Sequence, residues 1–340
     1  MNYEFSNARE YLIYIFSMLF ERDEIEIMKK PDSCNDSSVD VAIITILDEE
    51  YKAVLDHLEN HKRYSGIPEF PNLLAWELGE LKCDSAEGSY SVVLALTRGA
   101  GTQNGALATY TTIERWKPRY VFLVGIAGGF HRDGLDKGDV VLSDVIYGYE
   151  YGKLKEQFEP RHDWTYRCDT SLIMGLRAFA LSTNWAEKIK GIRPDSFKIA
   201  PKSFCGSIAS GDKVVDSLDQ EFFATILKSW SRLLAVEMEG AGAAEAIELA
   251  KSNGYDVHFL MVRGISDMPQ TGLETTVVSQ TSERDEWKKY AAEVAAVFTI
   301  SYIKNGLPKP PLSQTAHPQQ AAGHVRAVCN QSKSSRFICL

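Results

Sequence analysis

LLAVEMEGAGAAEA, residues 233–246, is the stretch that decides the fold of this chain. It passes from a continuous apolar run, which suits a strand buried on both faces, into small residues that open the helical pattern GAGAAEAIELAKSNG. Glu237 and Glu239 flank Met238 at the junction. A buried carboxylate is costly unless it is paired or hydrogen-bonded, so something polar must face these two.

The same alternation extends in both directions. Apolar runs occur at 41–47, 90–97, 120–128, 138–148, 205–211, 233–238 and 257–266, and the helical patterns EEYKAVLDHLEN, NGALATYTTIERW, SLIMGLRAFALS and DEWKKYAAEVAAVFTISYIK separate many of them. Strands alternating with helices predict a three-layer α/β/α domain with a mainly parallel central mixed sheet, spanning residues 40–306. Residues 1–39 read as an N-terminal extension. Residues 307–340, rich in Pro, Gln and Ser, read as a poorly ordered tail.

Composition narrows the function. The net charge of −9 argues against a general nucleic-acid binder, which needs clustered Lys and Arg, and leaves a small molecule or a protein as partner. The six cysteines form no C-x-x-C pair and no signal peptide is recognisable, so reduced thiols in a cytoplasmic protein are expected. YLIYIFSMLF at 11–20 falls well short of the ~20 residues that span a bilayer, and reads as a docking helix rather than an anchor. His57, His61, His131, His162 and His258 lack ligand spacing with Cys or carboxylates, so neither a metal nor an organic cofactor is expected.

Ligands of open α/β sheets bind at the carboxyl ends of strands, where the polar residues form a coherent set. They are Asp48, Glu49 and Glu50; Arg98-Gly99-Ala100-Gly101; Gly128-Gly129; Ser210-Gly211-Asp212; Glu237-Met238-Glu239; and Ser266-Asp267. Each has an ordinary structural reading alone. Glu49 and Glu50 complement a helix dipole, the glycines make turns, Asp267 caps or turns, and Arg263 serves as an ion-pair partner. RGAGTQNG is not a dinucleotide fingerprint, and no Walker pattern occurs.

Taken together, IITILDEEYKAVL, VGIAGGF with KGDVVLSD and YGYEYGKL, IASGDKVV, AVEMEGAGAAEA and FLMVRGISD resemble the nucleoside phosphorylase and nucleosidase superfamily, in particular its 5′-methylthioadenosine/S-adenosylhomocysteine nucleosidase branch, over residues 40–268. The resemblance implies that Asp267 acts as general acid toward the imidazole nitrogen of a purine, with Ser266 steadying it. Glu50 would orient the attacking water. Glu239 would hold ribose hydroxyls, Met238 pack under the sugar and Glu237 support both. Val214 and Val215 would meet the base, although the aromatic stacking residue usual at Val214 is absent, and Gly128 would line the pocket. Ile126 replaces a small polar residue common in the nucleosidases. A ribose would thus satisfy the two carboxylates of the opening stretch. The family also implies a homo-oligomer, a dimer or larger.

Arg98 keeps three readings open: a site for inorganic phosphate, a site for a phosphate carried by the substrate, and a surface ion pair. Three functions therefore stand. The first is hydrolysis of the N-glycosidic bond of an adenine nucleoside or nucleotide, as in nucleoside metabolism. The segment YGYEYGKLKEQFEPRHDW and the RDEWKKYAAE helix also resemble nucleosidase-like domains of bacterial immune effectors, for which ATP is a substrate to consider. The second is phosphorolysis by a purine nucleoside phosphorylase, and the third a catalytically silent nucleotide-sensing module.

Overall fold

The computed structural model describes residues 38–309 except 66–72, 85–87, 157, 196, 198, 216–220 and 270–279. The extension to residue 37, its YLIYIFSMLF stretch and the tail from 310 lie outside the described residues.

The core is one mixed sheet. Its main strands are β1 (Val41–Thr45), β2 (Glu59–Arg63), β3 (Leu73–Lys82), β4 (Ser89–Thr97), β5 (Tyr120–Gly129) and β6 (Val140–Gly148), followed by β10 (Ser203–Ser210), β11 (Leu233–Glu237) and β12 (His258–Asp267). Short strands β7 (Gly152–Leu154) and β8 (Phe158–Pro160) form a separate hairpin, and β9 (Thr165–Arg167) adds to β6. The order is β11-β10-β6-β12-β5-β1-β4-β3-β2. β1 runs parallel to β4 and β5, β12 parallel to β5, and β10 parallel to β6 and β11. β11 also pairs antiparallel with β5 through Ala235–Gly129 and Val236–Gly128, so one half of the sheet closes on itself. That closure brings the ends of β5, β11 and β12 together.

All five residues of β1 are buried, as expected where helices cover both faces of parallel strands. The helices are α1 (Asp48–Leu55), α2 (Thr102–Trp116), α3 (Thr170–Ser182), α4 (Glu221–Ser229), α5 (Gly240–Ser252) and α6 (Gln280–Asn305). α2 packs on α5, while α6 packs on β12, β5 and α1.

The helix read through EEYKAVLDHLEN stops at Leu55, and Glu59–Arg63 forms an edge strand instead. Asn60 there has φ 51°, a left-handed conformation that asparagine tolerates. This strand is mostly exposed and highly charged, which suits a sheet edge but hides the strand from any search for apolar runs. Packing also continues beyond Gly306: Leu307 is buried, its amide donates to Tyr90 Oη (2.9 Å), and the Lys309 amide donates to Tyr120 Oη (2.9 Å). Among the described residues, no helix is long and apolar enough to cross a membrane, and no group of three or more His, Cys, Asp or Glu is placed to hold a metal.

Candidate active site

Residues at the ends of several strands are held by hydrogen bonds and ion pairs, many of them buried. Glu50, in the first turn of α1, folds back on the strand that delivers it: Oε2 accepts from the amides of Ile46 (2.8 Å) and Leu47 (2.9 Å). Its Oε1 accepts from the Ile126 amide on β5 (2.9 Å), which leaves that oxygen with capacity for a further donor. Glu50 is only 2% exposed. Burial raises its pKa above the usual carboxylate value, opposed by the charge of Arg263 and by the three amides.

The carboxylates of the opening stretch find an internal partner. Arg263, buried on β12, pairs through Nη2 with Glu237 and, at 3.3 Å, with Oε2 of Glu239. Glu237 also accepts from the amides of Glu239 (3.0 Å) and Gly240 (2.9 Å) at the start of α5. Glu237 is thus held within the protein by Arg263 and two amides, as a supporting residue would be, and needs no ribose to offset its burial. Glu239 accepts from the Gly101 amide (3.0 Å) in the glycine-rich loop 138 residues away. Burial pushes its pKa up to about 7, Glu237 and Glu50 reinforce the rise, and Arg263 with the Gly101 amide oppose it.

Three buried carboxylates thus surround one guanidinium. Their packing is tight: a Cβ at Gly125 would collide with both Glu50 Oε1 and Arg263 Nη1, so only glycine lets β5 cross this cluster.

Ser266 and Asp267 end β12, both buried. Ser266 Oγ donates to Asp267 Oδ1 (2.5 Å), fixing one carboxylate oxygen. Gly128 lies against the other, since a Cβ there would sit 3.1 Å from Asp267 Oδ2. Met238 is half-buried, and its carbonyl accepts from Thr102 Oγ1 (3.3 Å).

Other residues singled out from sequence lie at the rim. Val214 is 54% exposed, while Val215 packs against the apolar cluster containing Tyr149, Phe223 and Val236. Arg98 is exposed at the head of the glycine-rich loop. Two amides at the end of this loop are already engaged: Gly101 by Glu239, and Thr102 by Asp212 Oδ1 at 2.6 Å. Asp212 was visible as a strand-end acid, but its partner, 110 residues away, was not. The ion-pair role read for Arg263 is present, and its buried position among the acids is what sequence spacing could not show.

Known proteins resemble this chain in sequence and fold. The family model described as "Phosphorylase superfamily" matches residues 40–304. The 5′-methylthioadenosine/S-adenosylhomocysteine nucleosidase of Desulfotalea psychrophila is 25% identical over 276 residues, covering 78% of this chain and 99% of the relative; that of Bacillus velezensis is 29% identical, covering 65% and 86%. Among solved structures, the corresponding nucleosidase of Neisseria meningitidis in complex with methylthio-immucillin-A matches with a TM-score of 0.58 at 26% identity, covering 78% of this chain and 99% of that one. With its central sheet, its strand-end acids and a family match over most of its length, this chain belongs to the phosphorylase superfamily.

Proposed function

We propose that the protein is a purine nucleosidase, a hydrolase that cleaves the N-glycosidic bond of an adenine nucleoside or nucleotide. The observation that carries this reading is the convergence of three buried acids at the strand ends: Glu50 and Glu239 lie around Arg263 and β5, and Asp267, held by Ser266, stands opposite Gly128 at the end of the same strand. The names of the relatives, nucleosidases acting on methylthioadenosine and S-adenosylhomocysteine, support it.

In this mechanism Glu50 Oε1 accepts from a water that attacks the anomeric carbon. The bond from that carbon to the purine nitrogen breaks, and its electron pair passes into the base. Protonated Asp267 delivers its proton to the imidazole nitrogen, and the proton of the attacking water goes to Glu50. Free base and free sugar result, Glu50 releases its proton to solvent, and Asp267 regains one, which restores the starting state. The raised proton affinity that burial gives Glu50 suits a general base. Ionised Glu239 accepts from ribose hydroxyls, and the surrounding negative charge favours an oxocarbenium-like sugar. Met238 packs under that sugar, Glu237 keeps Glu239 in place through its amide, Gly128 gives the base room, and Val215 meets it from the apolar side, with Val214 at the rim.

One observation favours hydrolysis over phosphorolysis. Two amides that close the glycine-rich loop, those of Gly101 and Thr102, already bind the carboxylates of Glu239 and Asp212, which would also repel an anion. Arg98 remains the residue to test for a phosphate carried on the substrate. We further take the enzyme to work in the cytoplasm as a homo-oligomer, without metal or organic cofactor.

The test is release of free base from adenosine, methylthioadenosine, AMP and ATP, with and without inorganic phosphate. Release without phosphate is expected. Strict dependence on phosphate would make the protein a phosphorylase, and tight nucleotide binding with no product would favour the sensing module.

A further inference from the structure

Asp267 must aim one oxygen at the leaving base, yet the sheet leaves its direction loosely specified. The pairing of β12 with β5 is regular as far as Ile265–Ala127 and then shifts, so that Asp267 rather than Ser266 lies opposite Gly128. Such a bulge re-aims side chains, and the ladder alone no longer determines where they point. Other contacts hold the backbone on either side.

Before the bulge, the Gly138 amide donates to the Ile265 carbonyl (2.8 Å). After it, the amide of Met268, next to Asp267, lies 3.5 Å from Oε2 of Glu283 in the first turn of α6. The other oxygen of Glu283 pairs with Lys137, the residue preceding Gly138. Lys137 also lies over the Trp287 ring (5.1 Å to its centroid), and Arg193 stands 4.9 Å from the same centroid. One ion pair therefore ties the two anchors of the Ser266–Asp267 segment to each other and to α6.

We propose that Glu283, held by Lys137, is a positioning residue for Asp267. It acts through the Met268 backbone and sets the aim of the acid without touching substrate. The proposal rests on the assignment of Asp267 as general acid. The competing explanation, that Glu283 merely favours the N-terminus of α6 as any acid there would, makes no distinction between substrates.

The test uses two leaving groups. Purine departure from methylthioadenosine needs a proton, whereas p-nitrophenyl riboside loses a phenolate that departs without one. Native enzyme, Glu283→Gln, Lys137→Met and Asp267→Asn are compared on both. For Glu283→Gln and Lys137→Met, kcat on methylthioadenosine is expected to fall about tenfold or more, with KM within about twofold, while p-nitrophenyl riboside turnover stays within about twofold of native. The ratio of the two rates cancels any loss of folded enzyme. Equal falls on both substrates, or none, would overturn the positioning role. Discrimination by Asp267→Asn but not by Glu283→Gln would remove Glu283 alone; if Asp267→Asn slows both substrates alike, the acid assignment and the proposal fall together.

Discussion

Replacing Arg263 with methionine removes the one positive charge that, among the described residues, pairs with Glu237 and Glu239 in the buried cluster, and leaves these acids, with Glu50, uncompensated. Breaking a buried ion pair from one side costs about 3–5 kcal/mol, because the surviving charge stays desolvated. At roughly 2–4 °C per kcal/mol for a domain of this size, the melting temperature should fall by about 6–20 °C at neutral pH.

The pH dependence separates this cause from simple loss of packing. Burial already raises the pKa of Glu239 from the ordinary 4.5 to about 7, so its ionisation in the folded state costs stability as pH rises through that interval. Arg263 holds the value down, and its removal shifts the cost to still higher pH and enlarges it. Thermal unfolding followed by circular dichroism should therefore show a larger gap between native and Arg263→Met at pH 8.5 than at pH 5.5, where Glu239 is protonated in both. A gap below about 1 kcal/mol, or one equal at the two pH values, would refute the charge argument.

Further expectations concern the same network. Asp267→Asn should lower kcat by about 10²- to 10⁴-fold while leaving the melting temperature near native, as steady-state assay and calorimetry would show; unchanged turnover would eliminate Asp267 as the acid. Gly125→Ala should destabilise by about 1–3 kcal/mol in urea unfolding and reduce activity, since the new methyl collides with Glu50 and Arg263; a neutral outcome would contradict the packing described. Because ionised Glu239 accepts from ribose hydroxyls more strongly than its neutral form, KM should fall as pH rises from 6 to 8, and a flat profile would argue that the sugar is held elsewhere.

Much of this was legible in the chain itself. The α/β class followed from apolar runs such as VAIITIL and YVFLVGIAG, because burial on both faces writes itself into contiguous residues. Glu50, Glu239 and Asp267 could be picked out as candidates because the ends of such runs are where open sheets present their chemistry, and because AVEMEG and VRGISD resemble motifs of the family. By contrast, the edge hairpin of β2 and β3 was missed, since the ENHKR strand faces solvent and carries no apolar period.

The sequence by itself determined which segments are buried and which acids stand at their ends, since those properties depend on near neighbours. Only the tertiary structure decided what each charge faces. Glu237 meets Arg263, Glu239 meets the amide of Gly101, Asp212 occupies the amide of Thr102, and Glu283 reaches Met268 and Lys137. These pairings join residues up to 146 positions apart and arise from the order of the strands and from the closure of β11 onto β5. A buried charge takes the partner that the fold brings within hydrogen-bond reach, and local sequence carries no record of that distance.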